Sequence, residues 1–431
     1  MNRVFITGLG VVSPFGTGID ILREKIRNGE SAVVNMQSRW QDQLGDLNAW
    51  LGAPLAQPLD IKSIPRRLRR SMGPLAMMAY VATQEALESS GILQKDADPG
   101  DCGQKSEARV GISYGSSIGS VEVLDQAIGL CHENKGIAGL KAGTFFQIMS
   151  HTCASSLALA FGIDGFVLSP NAACASATMS IGLGFEAIRE GKQDIMICGG
   201  ADELHPMVSG IFDLVQAASV GYNEQADQSP RPFDKDRDGT VCAEGAGTLI
   251  LESEESVRAR RIEPLAEIIG FGSCNDCTGV AQPNRDSIMR CLNNALDNAG
   301  LIPDGIGYVN AHGTGTVLGD IAEAEALGSF FGGCKVPVSS LKGYFGHSLG
   351  ASGAIETIAV LEMLREKRLP INRNLREVDP ACQGLDYVTQ EREIRFDSQE
   401  QGFLFLKNSF AFGGVNAILA IRAFEPQADA G

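Results

Sequence analysis

Short apolar runs rich in β-branched residues, each ending in a glycine-rich turn, alternate along this chain with longer helical patterns. VFITGLGVV, RVGISYG, DIMICGG, GYVNAHGTG and VPVSS read as buried strands. SMGPLAMMAYVATQEALESSG and IMRCLNNALDNAG read as helices, each closed by a glycine at the C-terminal place where a left-handed residue ends a helix. Strands that are apolar on both faces need a covering layer on each side. The alternation therefore predicts an α/β fold in which helices cover parallel sheets. Only the end of the chain differs, where GFLFLKNSF and AILAI read as two strands joined across AFGGVN.

At 431 residues, two or three domains are expected, and 44% apolar residues against 20% charged supply a large core. Only the terminal EPQADAG has the composition of a disordered tail. MNRVFITGLGVVSPFG lacks the charged region, long apolar stretch and cleavage site of a signal peptide. No apolar run approaches the ~20 residues that a membrane span requires. A cytoplasmic protein is expected.

Eleven cysteines stand singly apart from Cys274-Asn-Asp-Cys277, which is no disulfide framework. That pair has half a zinc spacing, but no second ligand pair accompanies it, so a loop turn is the favoured reading. The net charge of −16 argues against nucleic acid as a partner. One stretch runs against that balance: IPRRLRR places Arg66, Arg67, Arg69 and Arg70 within five positions. Pro65 suits the first turn of a short helix, and Pro74 ends that turn soon after. The cluster is either a solvated charged face or a docking patch for an acidic partner.

The stretch NAACASATMSIGLG, residues 171–184, sets a cysteine at the start of a small-residue helix. Ala177, Ile181, Gly184, Phe185 and Ile188 form one helical stripe. Gly182 and Gly184 cost about 1 kcal/mol each against alanine in a helix, so close packing at the centre of the fold is expected. Cys174 is then either a small core filler or a nucleophile. The positive end of the helix and its free N–H groups would favour thiolate and could hold an oxyanion. A similar small-residue helix follows His347 in SLGASGAIETIAVLEMLREKR, which points to a duplicated α/β unit with a reactive residue before each helix.

Of five histidines, His312 and His347 lie in the glycine-rich turns AHGTGT and FGHSLGASG, each after an expected strand. Neutral imidazoles there could donate a hydrogen bond to an enolate or take up a proton. Lys342 precedes His347 by five residues, as a surface lysine or as a buried ammonium that holds a histidine or carboxylate in place.

The motifs NAACAS, RPFDKDRDG (231–239), AEGAG (243–247), NAHGTGT (310–316), SSLKGYFGHSLGASG (339–353) and NSFAFGG (408–414) stand in a specific order and spacing. Through them the chain resembles, along nearly its full length, the β-ketoacyl–acyl carrier protein synthases, condensing enzymes of the thiolase superfamily. The resemblance implies a thiolase-like α/β fold: two duplicated halves that form a layered α-β-α-β-α core. Residues 1–253 would be the half with the nucleophile and cap insertions, and 254–431 the half with both histidines.

It further implies that Cys174 accepts the acyl group and that His312 and His347 complete a Cys-His-His set, with Lys342 supporting its electrostatics. Glu244 falls where the family has an acidic residue near that lysine. Phe412 matches the gating phenylalanine, whose N–H joins that of Cys174 in an oxyanion hole. Thr314 and Thr316 match threonines that meet the pantetheine arm.

The implied reaction is decarboxylative Claisen condensation of the acyl thioester on Cys174 with malonyl-ACP, giving 3-oxoacyl-ACP and CO2. No metal or redox cofactor is implied, since substrates arrive on the phosphopantetheine of acyl carrier protein. The carrier is acidic, which moves the arginine cluster toward the docking reading. The implied assembly is a homodimer, or a heterodimer with a homologous chain-length factor, in fatty-acid, type II polyketide or aryl polyene synthesis. Two alternatives are a non-catalytic chain-length partner, against which the retained Cys174, His312, His347 and Lys342 argue, and a decarboxylase that does not condense.

The chain also departs from the family pattern. Ala411 replaces the first glycine of GFGG, Thr240 replaces the aromatic residue after RDG, and TFFQIMSHTCASS (144–156) carries His151 and Cys153. Alanine resists a left-handed backbone, so altered motion of the gate turn is expected if that turn swings on Ala411. The other departures bear on the acyl chain more than on the reaction type.

Overall fold

The structure, a computed structural model, describes residues 1–94, 99–100, 108–396 and 402–426. The last residues of the EPQADAG tail, 427–431, lie outside the described residues. Ten strands carry the architecture. β1 (Val4–Ser13), β2 (Val110–Gly115), β3 (Val167–Leu168), β4 (Ile195–Asp202) and β5 (Gly245–Ser253) come from the first part of the chain. β6 (Ala266–Asn275), β7 (Tyr308–Asn310), β8 (Pro337–Ser339), β9 (Phe403–Phe410) and β10 (Val415–Ala423) come from the second.

The two sets repeat one plan. The first has spatial order β3-β2-β4-β5-β1 and the second β8-β7-β9-β10-β6. In each, the third and second strands and the second and fourth run parallel, while the fifth pairs antiparallel with the fourth and the first. The sheets are therefore mixed, not parallel as the alternation predicted. The fifth strand returns beside the fourth without a helical crossover onto the sheet, and antiparallel neighbours allow that. The sets meet where β1 pairs with β6 through Val4–Ile268, Phe5–Glu267 and Ile6–Ala266.

Six helices complete the layers: α1 (Pro74–Ser89), α2 (Thr152–Phe161), α3 (Ser176–Arg189), α4 (Arg285–Ala299), α5 (Val317–Phe331) and α6 (Ser352–Arg365). α1 packs on β1, β5 and β4 with α2 beside it, and α4 packs on β6 and β10 with α5 beside it. Between the two sheets lie α3 and α6, in contact with each other and with strands of both sets. The order is helix, sheet, helix, sheet, helix. Pro74 thus begins α1, at its first turn, and does more than end the arginine turn.

The central helices show why small residues recur there. Residues 352–364 of α6 are all buried, as expected of a helix that is apolar all round. A β-carbon on Gly182 would lie 2.4 Å from the ring of Phe271, and one on Gly184 2.2 Å from the sulfur of Cys198. Those glycines let α3 sit against both sheets at once.

Candidate active site

Cys174 sits in a tight turn, Ala173–Ala175, immediately before α3. Ala173 adopts a left-handed backbone at φ 44°, which costs a non-glycine residue roughly 1–2 kcal/mol. The second half repeats this turn at Leu349–Ala351 before α6, with Leu349 at φ 49°. The structural counterpart of Cys174 is therefore Gly350, not His347 as the sequence similarity implied. The serine that opens each helix is also shared. The Ser176 hydroxyl accepts from the Ala172 N–H, and the Ser352 hydroxyl lies 2.8 Å from Nδ1 of His347.

Cys174 is 6% exposed. Burial, with Asp202 adding to it, pushes its thiol up to about 12, against the pull of Lys342 and of backbone N–H groups from Cys174 and Phe412 that point at the sulfur. The helix position was expected to lower this value. Loss of water outweighs the helix here, because a thiolate in a dry site loses its hydration.

The loop after β7 carries His312, and Glu323 of α5 holds it. The backbone N–H groups of His312 and Gly313 donate to the two Glu323 oxygens at 2.9 and 2.8 Å. His347 is pinned through its own backbone to Val241 and Ala243, at 2.7 and 2.9 Å. The two imidazoles meet edge to face, 5.3 Å between ring centres. His312 Nδ1 and His347 Nε2 are buried without a partner among the described residues. Burial holds both rings well below the usual histidine range, and the Lys342 charge adds to this. Both are neutral at physiological pH.

Lys342 is fully buried and donates to the main-chain oxygen of His312 and to Oε1 of Glu356, each at 2.7 Å. The other oxygen of Glu356 lies 2.9 Å from Nζ of Lys407, also fully buried. Glu356 was not read from the sequence: it is one of two carboxylates in the helix SGAIETIAVLEML, and nothing local sets it apart from Glu362. Glu244 is not the acidic partner of Lys342. It accepts instead from the backbone N–H groups of Leu55 and Leu204, at 2.8 and 3.3 Å. A carboxylate so engaged ties two loops to the start of β5.

Cys174, His312, His347, Thr314, Thr316 and Phe412 line one cavity of about 200 Å3. The Thr314 and Thr316 hydroxyls stand 2.9 Å apart on its wall. Phe412 is 37% exposed at the cavity and stacks on Phe212 with ring centres 5.5 Å apart. In its turn the left-handed residues are Gly413 and Gly414, at φ 86° and 77°, while Ala411 is not left-handed. Alanine there imposes no backbone strain in this conformation. Thr240 also lines the cavity, with a buried hydroxyl that has no partner among the described residues.

Other sequence candidates lie elsewhere. Arg66–Arg69 form one short helical turn anchored by buried Leu68; Arg66, Arg67 and Arg70 are exposed and Arg69 half-buried. Among the described residues no carboxylate pairs with any of these four. His151 is exposed ahead of α2, whereas Cys153 is fully buried near Asp202 and Glu203, which with burial raise its thiol well above the ordinary range. Cys274 belongs to β6 and Cys277 to the turn beyond it. Among the described residues, no three His, Cys, Asp or Glu side chains are grouped so as to hold a metal ion.

Comparison with known proteins gives the family. The β-ketoacyl synthase N-terminal domain matches residues 1–256, and its C-terminal domain matches 265–376. The 3-oxoacyl-[acyl-carrier-protein] synthase 1 of Haemophilus influenzae is 32% identical over 98% of this chain and 100% of that protein. A β-ketoacyl synthase crystal structure from Burkholderia phymatum superposes with a TM-score of 0.90 at 38% identity, covering 99% of this chain and 100% of that one. The ishigamide ketosynthase/chain length factor superposes at 0.86 with 28% identity, covering 98% and 99%. The chain belongs to the β-ketoacyl synthase family, has its thiolase-like fold, and is an acyltransferase of the condensing kind.

Proposed function

We propose that this chain joins an acyl group carried on Cys174 to the malonyl unit of malonyl-ACP, releasing CO2 and giving 3-oxoacyl-ACP. The observation that carries the reading is the convergence of Cys174, His312 and His347 on one cavity, with a free ring nitrogen on each neutral imidazole.

In the first half-reaction the Cys174 thiol gives its proton to an imidazole as sulfur attacks the acyl thioester. The N–H groups of Cys174 and Phe412, already aimed at this sulfur, take the oxyanion. The tetrahedral centre collapses and the carrier thiolate leaves with the proton. In the second, the malonyl C–C bond breaks and its electron pair passes to the thioester oxygen of an enolate. Neutral imidazoles donate to that oxygen. For His347 this requires the proton on Nε2, consistent with Nδ1 accepting from the Ser352 hydroxyl. The enolate carbon then attacks the acyl carbonyl, a C–C bond forms, and Cys174 leaves and is reprotonated. Lys342 acts through its charge, keeping both imidazoles neutral, each with one N–H donor and one free lone pair. Thr314 and Thr316 stand where hydroxyls would meet the amides of a pantetheine arm.

The substrates would arrive on the phosphopantetheine of acyl carrier protein, with the exposed Arg66, Arg67 and Arg70 and half-buried Arg69 as the docking patch. A homodimer, or a heterodimer with a homologous chain-length factor, fits the open sheet edge at β3. Phe145, Phe146, Leu159, Phe166 and Val167 expose apolar surface there, at 65, 58, 68, 42 and 44%. The repeated strand order supports a division into halves at 253/254. Among the described residues no helix is long and apolar enough to cross a membrane, and we place the protein in the cytoplasm.

The test is to incubate the protein with acyl-ACP and malonyl-ACP and follow the intact mass of the protein and of the product. An acyl adduct on Cys174 and 3-oxoacyl-ACP are expected. Elongation by a Cys174→Ala variant, or no adduct with any chain length, would sink the reading.

A further inference from the structure

Behind the cavity wall, outside the machinery described above, two thiols face each other. Cys274 lies near the end of β6 and Cys291 in the middle of α4. Their side chains interact, Cys291 lowering the Cys274 thiol and Cys274 raising that of Cys291. Each sulfur also reaches across to the other's element. Cys274 Sγ donates to the Ser287 carbonyl of α4 at 3.1 Å, and Cys291 Sγ to the Gly272 carbonyl of β6 at 3.3 Å. Strand and helix approach this closely because residue 272 is glycine: a β-carbon there would lie 2.5 Å from the Cys291 carbonyl.

The pair is asymmetric, as a reactive and a resolving thiol must be. Cys274 is half-buried and Cys291 fully buried. Asn416, whose amide lies 3.9 Å from Cys274 Sγ, lines the cavity with Asp276 and Ile288, so the half-buried outer sulfur lies just behind the cavity wall. The contact with Cys291, helped by the Asn416 amide and then by Arg290, lowers the Cys274 thiol to about 7 against its burial, within the range in which thiolate is abundant.

We propose that Cys274 and Cys291 are a modification site, a dithiol that a peroxide converts to a disulfide. The Cys274 thiolate attacks one peroxide oxygen, the O–O bond breaks, and the departing hydroxide takes up the proton that the thiol had released, leaving sulfenic acid and water. The Cys291 thiol then attacks the Cys274 sulfur, an S–S bond replaces the S–O bond, and a second water leaves. Two thiols are oxidised and one peroxide is reduced to two waters. The site adjoins the gate, since the next two residues hold the turn that carries Phe412. Asn275 Nδ2 donates to Gly413 O at 3.0 Å, and the Asp276 N–H donates to Gly414 O at 2.9 Å.

The test treats the full-length protein with hydrogen peroxide, alkylates the remaining thiols, and maps peptides by mass spectrometry. A cross-linked pair holding Cys274 and Cys291, separated again by dithiothreitol, is the expected result. In a Cys291→Ala variant the cross-link vanishes and Cys274 becomes trappable by dimedone as sulfenic acid. If both thiols stay open to alkylation after peroxide, the proposal is wrong. It is equally wrong if Cys274 pairs with exposed Cys277, whose sulfur lies 3.3 Å from Asn275 Oδ1.

Discussion

The ammonium of Lys342 sits 2.7 Å from the main-chain oxygen of His312 and makes no hydrogen bond to its ring. Its effect on the imidazole is therefore one of charge. Burial and this charge both depress His312 and His347 below the ordinary histidine value. Removing the charge lets each ring take a proton at higher pH, and a protonated ring has lost the lone pair that accepts the thiol proton. Lys342→Met is expected to lower the rate and to move the acid limb of the pH–rate profile upward. A profile that falls in height with an unmoved acid limb would show that Lys342 supports only the packing.

Glu356 lies between two buried ammonium groups, Lys342 at 2.7 Å and Lys407 at 2.9 Å, with all three fully buried. Burial already depresses Lys407, against the support of Glu356. Glu356→Gln leaves two buried cations without the carboxylate they contact directly, and breaking a buried pair costs about 3–5 kcal/mol. Urea unfolding should show a loss of that order. Combining it with Lys407→Met should recover part of the loss, since the second variant removes one of the stranded charges. Simple additivity of the two losses would argue against coupling.

Gly182 tests the central layer. In an isolated helix, Gly→Ala stabilises by about 1 kcal/mol. Here the new methyl would meet the Phe271 ring at 2.4 Å, and overpacking of this kind costs about 1–3 kcal/mol. Gly182→Ala is expected to lower the unfolding midpoint, and Phe271→Leu in the same chain to restore some of it. A midpoint raised by the alanine would mean that α3 stands further from β6 than the contact allows.

Strands such as VFITGLGVV and DIMICGG were legible because they are short, mostly apolar runs that lead into glycine-rich turns, whereas β5 and β6, largely buried too, were not read. β3 was not legible, since two residues carry no period and only their neighbour β2 makes them a strand. Strand direction was hidden for another reason: nothing local in GFLFLKNSF says whether its partner runs with or against it. At the site, Cys174, His312 and His347 stood out because small residues and glycines flank them. Glu356 and Lys407 look like ordinary polar positions, and only the folded chain brings them to Lys342. The same short range misled the internal comparison, which matched Cys174 to His347 when the repeated turn matches it to Gly350.

The arginine turn offers a prediction that separates docking from chemistry. Arg66, Arg67 and Arg70 are exposed, no carboxylate engages the cluster among the described residues, and the chain carries a net charge of −16. An acidic body repels an acidic carrier, so a local basic patch would govern where the carrier lands. Replacing Arg66, Arg67, Arg69 and Arg70 by glutamate should raise KM for acyl-ACP while leaving kcat nearly unchanged, because no group at the cavity is altered. With a small acyl-pantetheine thioester, which has no acidic surface, the same variant should match the parent. The KM of the parent for acyl-ACP should also rise with ionic strength, as exposed charges are screened within about 10 Å at 0.1 M salt. An unchanged KM for acyl-ACP in the reversed variant would assign the arginines to solvation alone and send the search for the carrier surface elsewhere.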